Sequence, residues 1–157
     1  MNNNDVLRRL RYALDLEDSK MVELFGLGGQ TVTDAQVNAW LKRDEDPDFQ
    51  VCAEALFAAF LNGLIVDRRG PRQDARPPAV DPINNNTILM KLRIALDLQG
   101  DRLLALIELG GHKLSKHELS AFFRKPSNKH YRQCRDQVLR KFLRGLQLEL
   151  RGTAPSD

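Results

Sequence analysis

Apolar residues recur along this chain at three- and four-residue spacing, the period of a helix that buries one face. Val6, Leu7, Leu10, Ala13 and Leu14 do so over residues 4–16, with an asparagine just ahead to serve as N-cap. A second helix is predicted over 18–27, closed by Gly28-Gly29 as a C-terminal glycine signal. The third has the clearest start: Thr33 and Gln36 have the spacing of a capping box, and Val32 and Val37 that of a hydrophobic staple. A fourth is predicted over 49–69, ending at Gly70. No stretch alternates apolar with polar residues as a half-buried strand does, so the fold class is all-α.

The same pattern returns 82 residues later. Residues 2–70 overlie 84–152 without a gap, with 22 identities in 69 positions. Asn2-Asn3-Asn4 falls on Asn84-Asn85-Asn86, Ala13-Leu14-Asp15-Leu16 on Ala95-Leu96-Asp97-Leu98, and Leu27-Gly28-Gly29 on Leu109-Gly110-Gly111. Cys52 falls on Cys134, and Gly63-Leu64 on Gly145-Leu146. The second copy rebuilds the capping box from different letters, Ser115 with Glu118, and the staple from Leu114 with Leu119. The period is too long for a solenoid; it marks a duplicated small domain of four helices. The expected organisation is a first repeat (1–70), a linker (71–83), a second repeat (84–152) and a tail (153–157). Four of the seven prolines, Pro71, Pro77, Pro78 and Pro82, lie in the linker, which therefore reads as extended. Gly63 and Gly145 interrupt the fourth helices, where glycine costs roughly 1 kcal/mol against alanine. Their recurrence predicts a close helix crossing.

Charge separates the copies. Residues 2–70 hold eight Lys/Arg and twelve Asp/Glu, a net of −4; residues 84–152 hold fourteen and six, a net of +8. The modest overall +3 conceals an acidic half and a basic half. Asp44-Glu45-Asp46-Pro47-Asp48 in the first copy faces Pro126-Ser127-Asn128-Lys129-His130 in the second. The fourth helices differ as well. Val51, Ala55, Ala58, Ala59, Ile65 and Val66 are expected to give the first copy an apolar back face. That face would make the helix the central element between copies, half of a homodimer interface, or the seat of another protein partner. The matching positions Gln133, Gln137, Arg140, Lys141, Gln147 and Leu148, with Arg144 and Arg151, predict a basic side in water.

At 157 residues, 42% apolar and 29% charged, the composition is that of a globular protein rather than a disordered chain. No apolar run approaches a membrane span, so no membrane partner is expected. The N-terminus lacks the pattern of a signal peptide, which makes the cytoplasm the expected compartment. The second and third helices outline a helix-turn-helix. At the reading positions stand Asp34, Gln36 and Asn38 in the first copy and Lys116, His117, Ser120 and Arg124 in the second, so only the second suits phosphates. His112, His117, His130 and Cys134 fall together in the second copy. The first copy has Gln30, Ala35, Asp48 and Cys52 at those places, so both cysteines read as buried small hydrophobes rather than metal ligands. No nucleophile–base constellation or phosphate-cradling glycine loop is present, and neither an enzyme, a metal nor a cofactor is expected. Arg11 with Asp15, and Arg93 with Asp97, read as ion pairs or caps.

The doubled Asn-Asn-Asn-x-x-Leu-x-x-Leu-Arg-x-Ala pattern, the capped third helix and the Phe-Leu-x-Gly-Leu that closes each copy resemble the YehS-like family of bacterial proteins. The resemblance spans nearly the whole chain and implies a small cytoplasmic bacterial protein with a duplicated domain of unknown function. It supplies no site residues. From charge alone, the expected function is non-enzymatic binding of nucleic acid, DNA or RNA, through phosphates. The residues expected to carry it are Lys113, Lys116, Arg124, Lys125, Lys129, Arg132, Arg140 and Arg144. The alternative is a protein-interaction module or homodimer built on the apolar fourth helix of the first copy.

Overall fold

Each repeat begins with an asparagine that closes the open end of a helix. Asn2 Oδ1 accepts from the Asp5 amide (2.8 Å) while the Asp5 carboxylate accepts from the Asn2 amide (3.0 Å). Two otherwise orphaned donors are thereby satisfied reciprocally. Helix α1, Asn3–Ala13, follows. In the second repeat Asn84 and Thr87 build the same box ahead of α5, Asn85–Ala95.

The computed structural model describes residues 1–71 and 82–153; most of the expected linker and tail lies outside them. Among the described residues the chain forms eight helices, and none is long and apolar enough to cross a membrane. It divides into two compact units, Met1–Ile83 and Asn84–Asp157. The first unit continues with α2 (Asp18–Leu27), α3 (Asp34–Leu41) and α4 (Glu54–Arg69). The second continues with α6 (Gly100–Leu109), α7 (Lys116–Ala121) and α8 (Asp136–Arg151).

Helix α1 stops because Asp15 adopts φ 53°, the left-handed region, and Asp97 repeats this after α5. The turn allows the Leu16 amide to reach back to the Arg11 carbonyl (2.9 Å), and Leu98 to reach Arg93 (3.0 Å). These aspartates are thus C-terminal turn residues. Arg11 pairs with Asp18 (3.4 Å), and the Arg93 guanidinium lies 4.8 Å from the centre of the Phe123 ring. The boxes at Thr33–Gln36 and Ser115–Glu118 start α3 and α7 as the sequence predicts.

The main packing in each unit is a crossing of its second and fourth helices at backbone contact. A Cβ built on Gly63 would lie 1.7 Å from the Leu24 carbonyl oxygen, and one on Gly28 would lie 1.8 Å from that of Ala59. Gly145 against Leu106 and Gly110 against Lys141 repeat the arrangement at 1.8 Å each. The two glycines of each Leu-Gly-Gly therefore do different work. Gly28 and Gly110 admit the neighbouring backbone, while Gly29 (φ +95°) and Gly111 (φ +106°) make the left-handed turn that ends the helix. Around the first crossing Phe25, Phe57, Phe60, Met21 and Leu24 are fully buried, with Phe25 tilted against both Trp40 (5.2 Å) and Phe60 (5.3 Å).

Two expectations about the fourth helices need correction. They start at Glu54 and Asp136, five residues after the predicted position, because 49–53 and 131–135 are non-helical and lead into the helices through the extended N-cap residues Ala53 and Arg135. Their expected outer faces also break up. In the first unit Val51 precedes the helix and is 74% exposed, Ala55 is exposed, and Ala58, Ile65 and Val66 are half-buried. Ala59 is buried, with its backbone against Gly28. In the second unit Gln147, expected in water, is buried at the edge of the Leu143–Leu146 stripe, and Lys141, Arg144 and Leu148 are half-buried.

Burial pushes both cysteine thiols, Cys52 and Cys134, up to about 12. A thiol whose folded pKa lies above its unfolded value of 9.0 keeps its proton in the native state while the unfolded chain loses it. Stability is therefore expected to fall as pH rises from about 9 towards 12, and Cys→Ser at either position should flatten that decline in denaturant titrations.

Candidate nucleic-acid interface

Four of the eight candidate cations sit on the segment joining α7 to α8: Arg124, Lys125, Lys129 and Arg132. The fold of that segment comes from the third asparagine of the triplet. Asn86 is buried, and its amide nitrogen donates to the carbonyls of Phe122 (3.0 Å) and Arg132 (2.9 Å). Its oxygen accepts from the Cys134 amide (2.9 Å). One side chain thus ties both ends of the loop to α5. The clamp engages the Arg132 carbonyl and the Cys134 amide and so holds this stretch out of the helix, which explains the late start of α8. Asn4 does the same in the first unit, bonding the carbonyls of Trp40 and Gln50 (2.9 Å each) and the amide of Cys52 (3.0 Å). The middle asparagine of the second triplet, Asn85, donates to the Cys134 carbonyl (3.0 Å) and to Asp136 (2.7 Å), and the latter bond holds the Asp136 carboxyl below its ordinary range.

Within the loop Asn128 Oδ1 accepts from the His130 amide (2.8 Å), and the Tyr131 amide returns to the Asn128 carbonyl (3.0 Å). This side-chain turn has its counterpart at Asp46, which accepts from the Asp48 amide (2.8 Å). The Arg132 guanidinium donates to the Tyr131 carbonyl (2.9 Å), so even this exposed cation is ordered by the loop backbone. Two loops of one conformation carry opposite charge.

The other candidates are distributed around this loop in sequence. Lys113 is exposed between α6 and α7. Lys116 opens α7, 81% exposed, and pairs with Asp101 at 3.1 Å. Arg140 is exposed on α8 one turn after Asp136, and Arg144 is half-buried a further turn on. Among the described residues no carboxylate lies within ion-pair distance of Lys113, Arg124, Lys125, Lys129, Arg132 or Arg144. In the first unit, by contrast, Arg8 bonds Asp5 and Asp44, Arg11 bonds Asp18, and Lys20 bonds Glu23 and Asp67. Arg135, exposed just before α8, extends the basic set and was not singled out from the sequence because the helix was expected to begin earlier.

The helix-turn-helix outline is present as two helices across a turn, but α7 has six residues, about 9 Å at 1.5 Å per residue. Arg124, placed by sequence on the reading helix, lies beyond its end. His112, His117, His130 and Cys134 do not converge, and among the described residues no three His, Cys, Asp or Glu side chains are grouped to hold a metal ion.

The duplication and its register appear again in comparison with known proteins. A family model described as a protein of unknown function, DUF1456, matches twice, at residues 3–70 and 85–152. A relative named Uncharacterized protein YehS, from Escherichia coli (strain K12), is 41% identical over 149 residues, covering 93% of this chain and 94% of its own length. No solved structure matches. Two successive matches to one family model, over almost all of both repeats, show that the chain belongs to the DUF1456 family.

Proposed function

We propose that this is a non-enzymatic binding protein whose second repeat contacts nucleic acid through phosphates. The observation that carries the reading is the α7–α8 loop. Its backbone is held by Asn86 and Asn128, and its cations face no carboxylate among the described residues. An ordered set of unpaired cations attracts a polyanion with little further loss of entropy on binding. The first unit serves as an internal comparison: the same loop there carries Asp44, Glu45, Asp46 and Asp48 beside Lys42 and Arg43, and Asp44 is paired with Arg8 of α1. Shape is shared between the two loops and charge is not, so charge is what distinguishes the second repeat.

Phosphate contacts make affinity depend on salt. If four phosphates are neutralised, binding to a labelled oligonucleotide is expected to weaken about 100-fold between about 50 and 200 mM salt. Arg124→Ala, Lys125→Ala and Lys129→Ala together should reduce the slope of log K against log salt by about 3. Fluorescence anisotropy across a salt series measures both. Failure to retain either DNA or RNA at the lowest salt ends this reading, and a tight dimer in sedimentation that ignores nucleic acid favours the protein-interaction alternative.

A further inference from the structure

Where the loops reverse charge, they also gain rings. Leu41 in the first repeat is replaced by Phe123 in the second, and Asp48 by His130; Phe49 has Tyr131 as its counterpart. The second loop therefore runs Phe123-Arg124-Lys125-Pro126-Ser127-Asn128-Lys129-His130-Tyr131-Arg132, with planar side chains beside cations at each end. Phe123 and Tyr131 are half-buried and His130 is exposed. Against Phe123 lies the Arg93 guanidinium, itself a flat cation of the kind on which bases stack. The neighbouring helix α7 is too short to lie along a major groove and present several residues to base edges.

Resting on the nucleic-acid reading above, we infer that the α7–α8 loop binds single-stranded nucleic acid in preference to duplex, with Phe123 and His130 as stacking surfaces and Arg124, Lys125, Lys129 and Arg132 as phosphate contacts. In a duplex the base faces are covered by their neighbours, and only an unpaired strand exposes them to an aromatic ring. Every base has such a face, so the preference is for strandedness rather than for sequence. The first repeat, with leucine and aspartate at the two ring positions, lacks both surfaces, and it keeps only two of the four cations, Lys42 and Arg43, beside Asp44, Glu45, Asp46 and Asp48.

The test is fluorescence anisotropy of the full chain with three probes at one salt concentration: an unstructured single-stranded RNA, the single-stranded DNA of the same sequence, and the corresponding duplex DNA. The single strands are expected to bind at least 10-fold tighter than the duplex. Phe123→Leu installs the side chain the first repeat already accommodates at this place, and His130→Ala alters an exposed position, so both variants keep the fold. Together they should weaken single-strand binding about 10-fold or more while leaving the salt slope and duplex binding unchanged. Tighter binding of RNA than of DNA would identify the 2′-hydroxyl as a further contact and supports the inference equally. Equal affinity for single strands and duplex, or a double variant that binds single strands like wild type, overturns the inference and leaves phosphate binding standing. No binding to any probe overturns both.

Discussion

Gly145→Ala is expected to destabilise the second unit by about 3 kcal/mol or more, and Gly63→Ala the first by as much. The reason is the absence of room. The added methyl would lie 1.8 Å from the Leu106 carbonyl oxygen in one case and 1.7 Å from that of Leu24 in the other, and backbone, unlike a flexible side-chain end, cannot turn aside. Helices α6 and α8, or α2 and α4, must separate, and the buried side chains around them lose contact together. For a unit of this size the melting temperature should fall by roughly 15 °C. Gly26→Ala supplies the opposite control, because this glycine is helical and has nothing within 4 Å of the new carbon. It should raise stability by about 0.5–1 kcal/mol. Denaturant titration followed by circular dichroism reads all three, and a Gly145→Ala protein within 1 kcal/mol of wild type would refute the backbone-contact account.

Asn86→Ala is expected to cost about 3 kcal/mol, because one truncation orphans the carbonyls of Phe122 and Arg132 and the amide of Cys134 at once. Asn86→Asp should be no milder. It keeps the shape but turns an oxygen towards two carbonyl oxygens that had accepted from the amide nitrogen, and it places a charge where the site is buried. By contrast Asn84→Ala removes only a helix cap and should cost about 1 kcal/mol. Hydrogen exchange separates local from global effects: the Cys134 amide should lose protection in Asn86→Ala while the Cys52 amide, held by Asn4, keeps its own. If the Cys134 amide stays protected, the clamp is not what holds the loop. Loosening it should also weaken oligonucleotide binding although no charge has been altered.

These two effects mark the division between what the sequence discloses and what it does not. Caps at Thr33 and Ser115 were legible because their partners lie three residues away, and chemistry at that range is readable from spacing alone. The close crossing at Gly63 and Gly145 was legible through repetition, since a residue unfavourable in a helix and present in both copies needs a reason. The Asn4 and Asn86 clamps were not, since their bonds span 36 to 48 residues and nothing local distinguishes them from a second helix cap. Without those bonds, spacing alone starts the fourth helices at 49 and places Val51 on a helical face it does not occupy. The basic loop was legible as composition, through Lys129 and His130 against Pro47 and Asp48. That its four cations share one ordered turn was not, because this depends on Asn86 reaching across the unit.

The clamp also bears on how the two halves came to differ. Asn4 and Asn86 hold their loops only by main-chain amides and carbonyls, groups that every residue other than proline supplies. Apart from Asp46 and Asn128, which form the turns, most side chains between the anchor points are thereby released from folding duty. After duplication the two loops were able to diverge in charge, since the clamp does not require the backbone to find a new conformation when these side chains change. A scaffold of this kind is permissive by construction: grafting a foreign peptide between Lys125 and Arg132 should leave the surrounding helices intact.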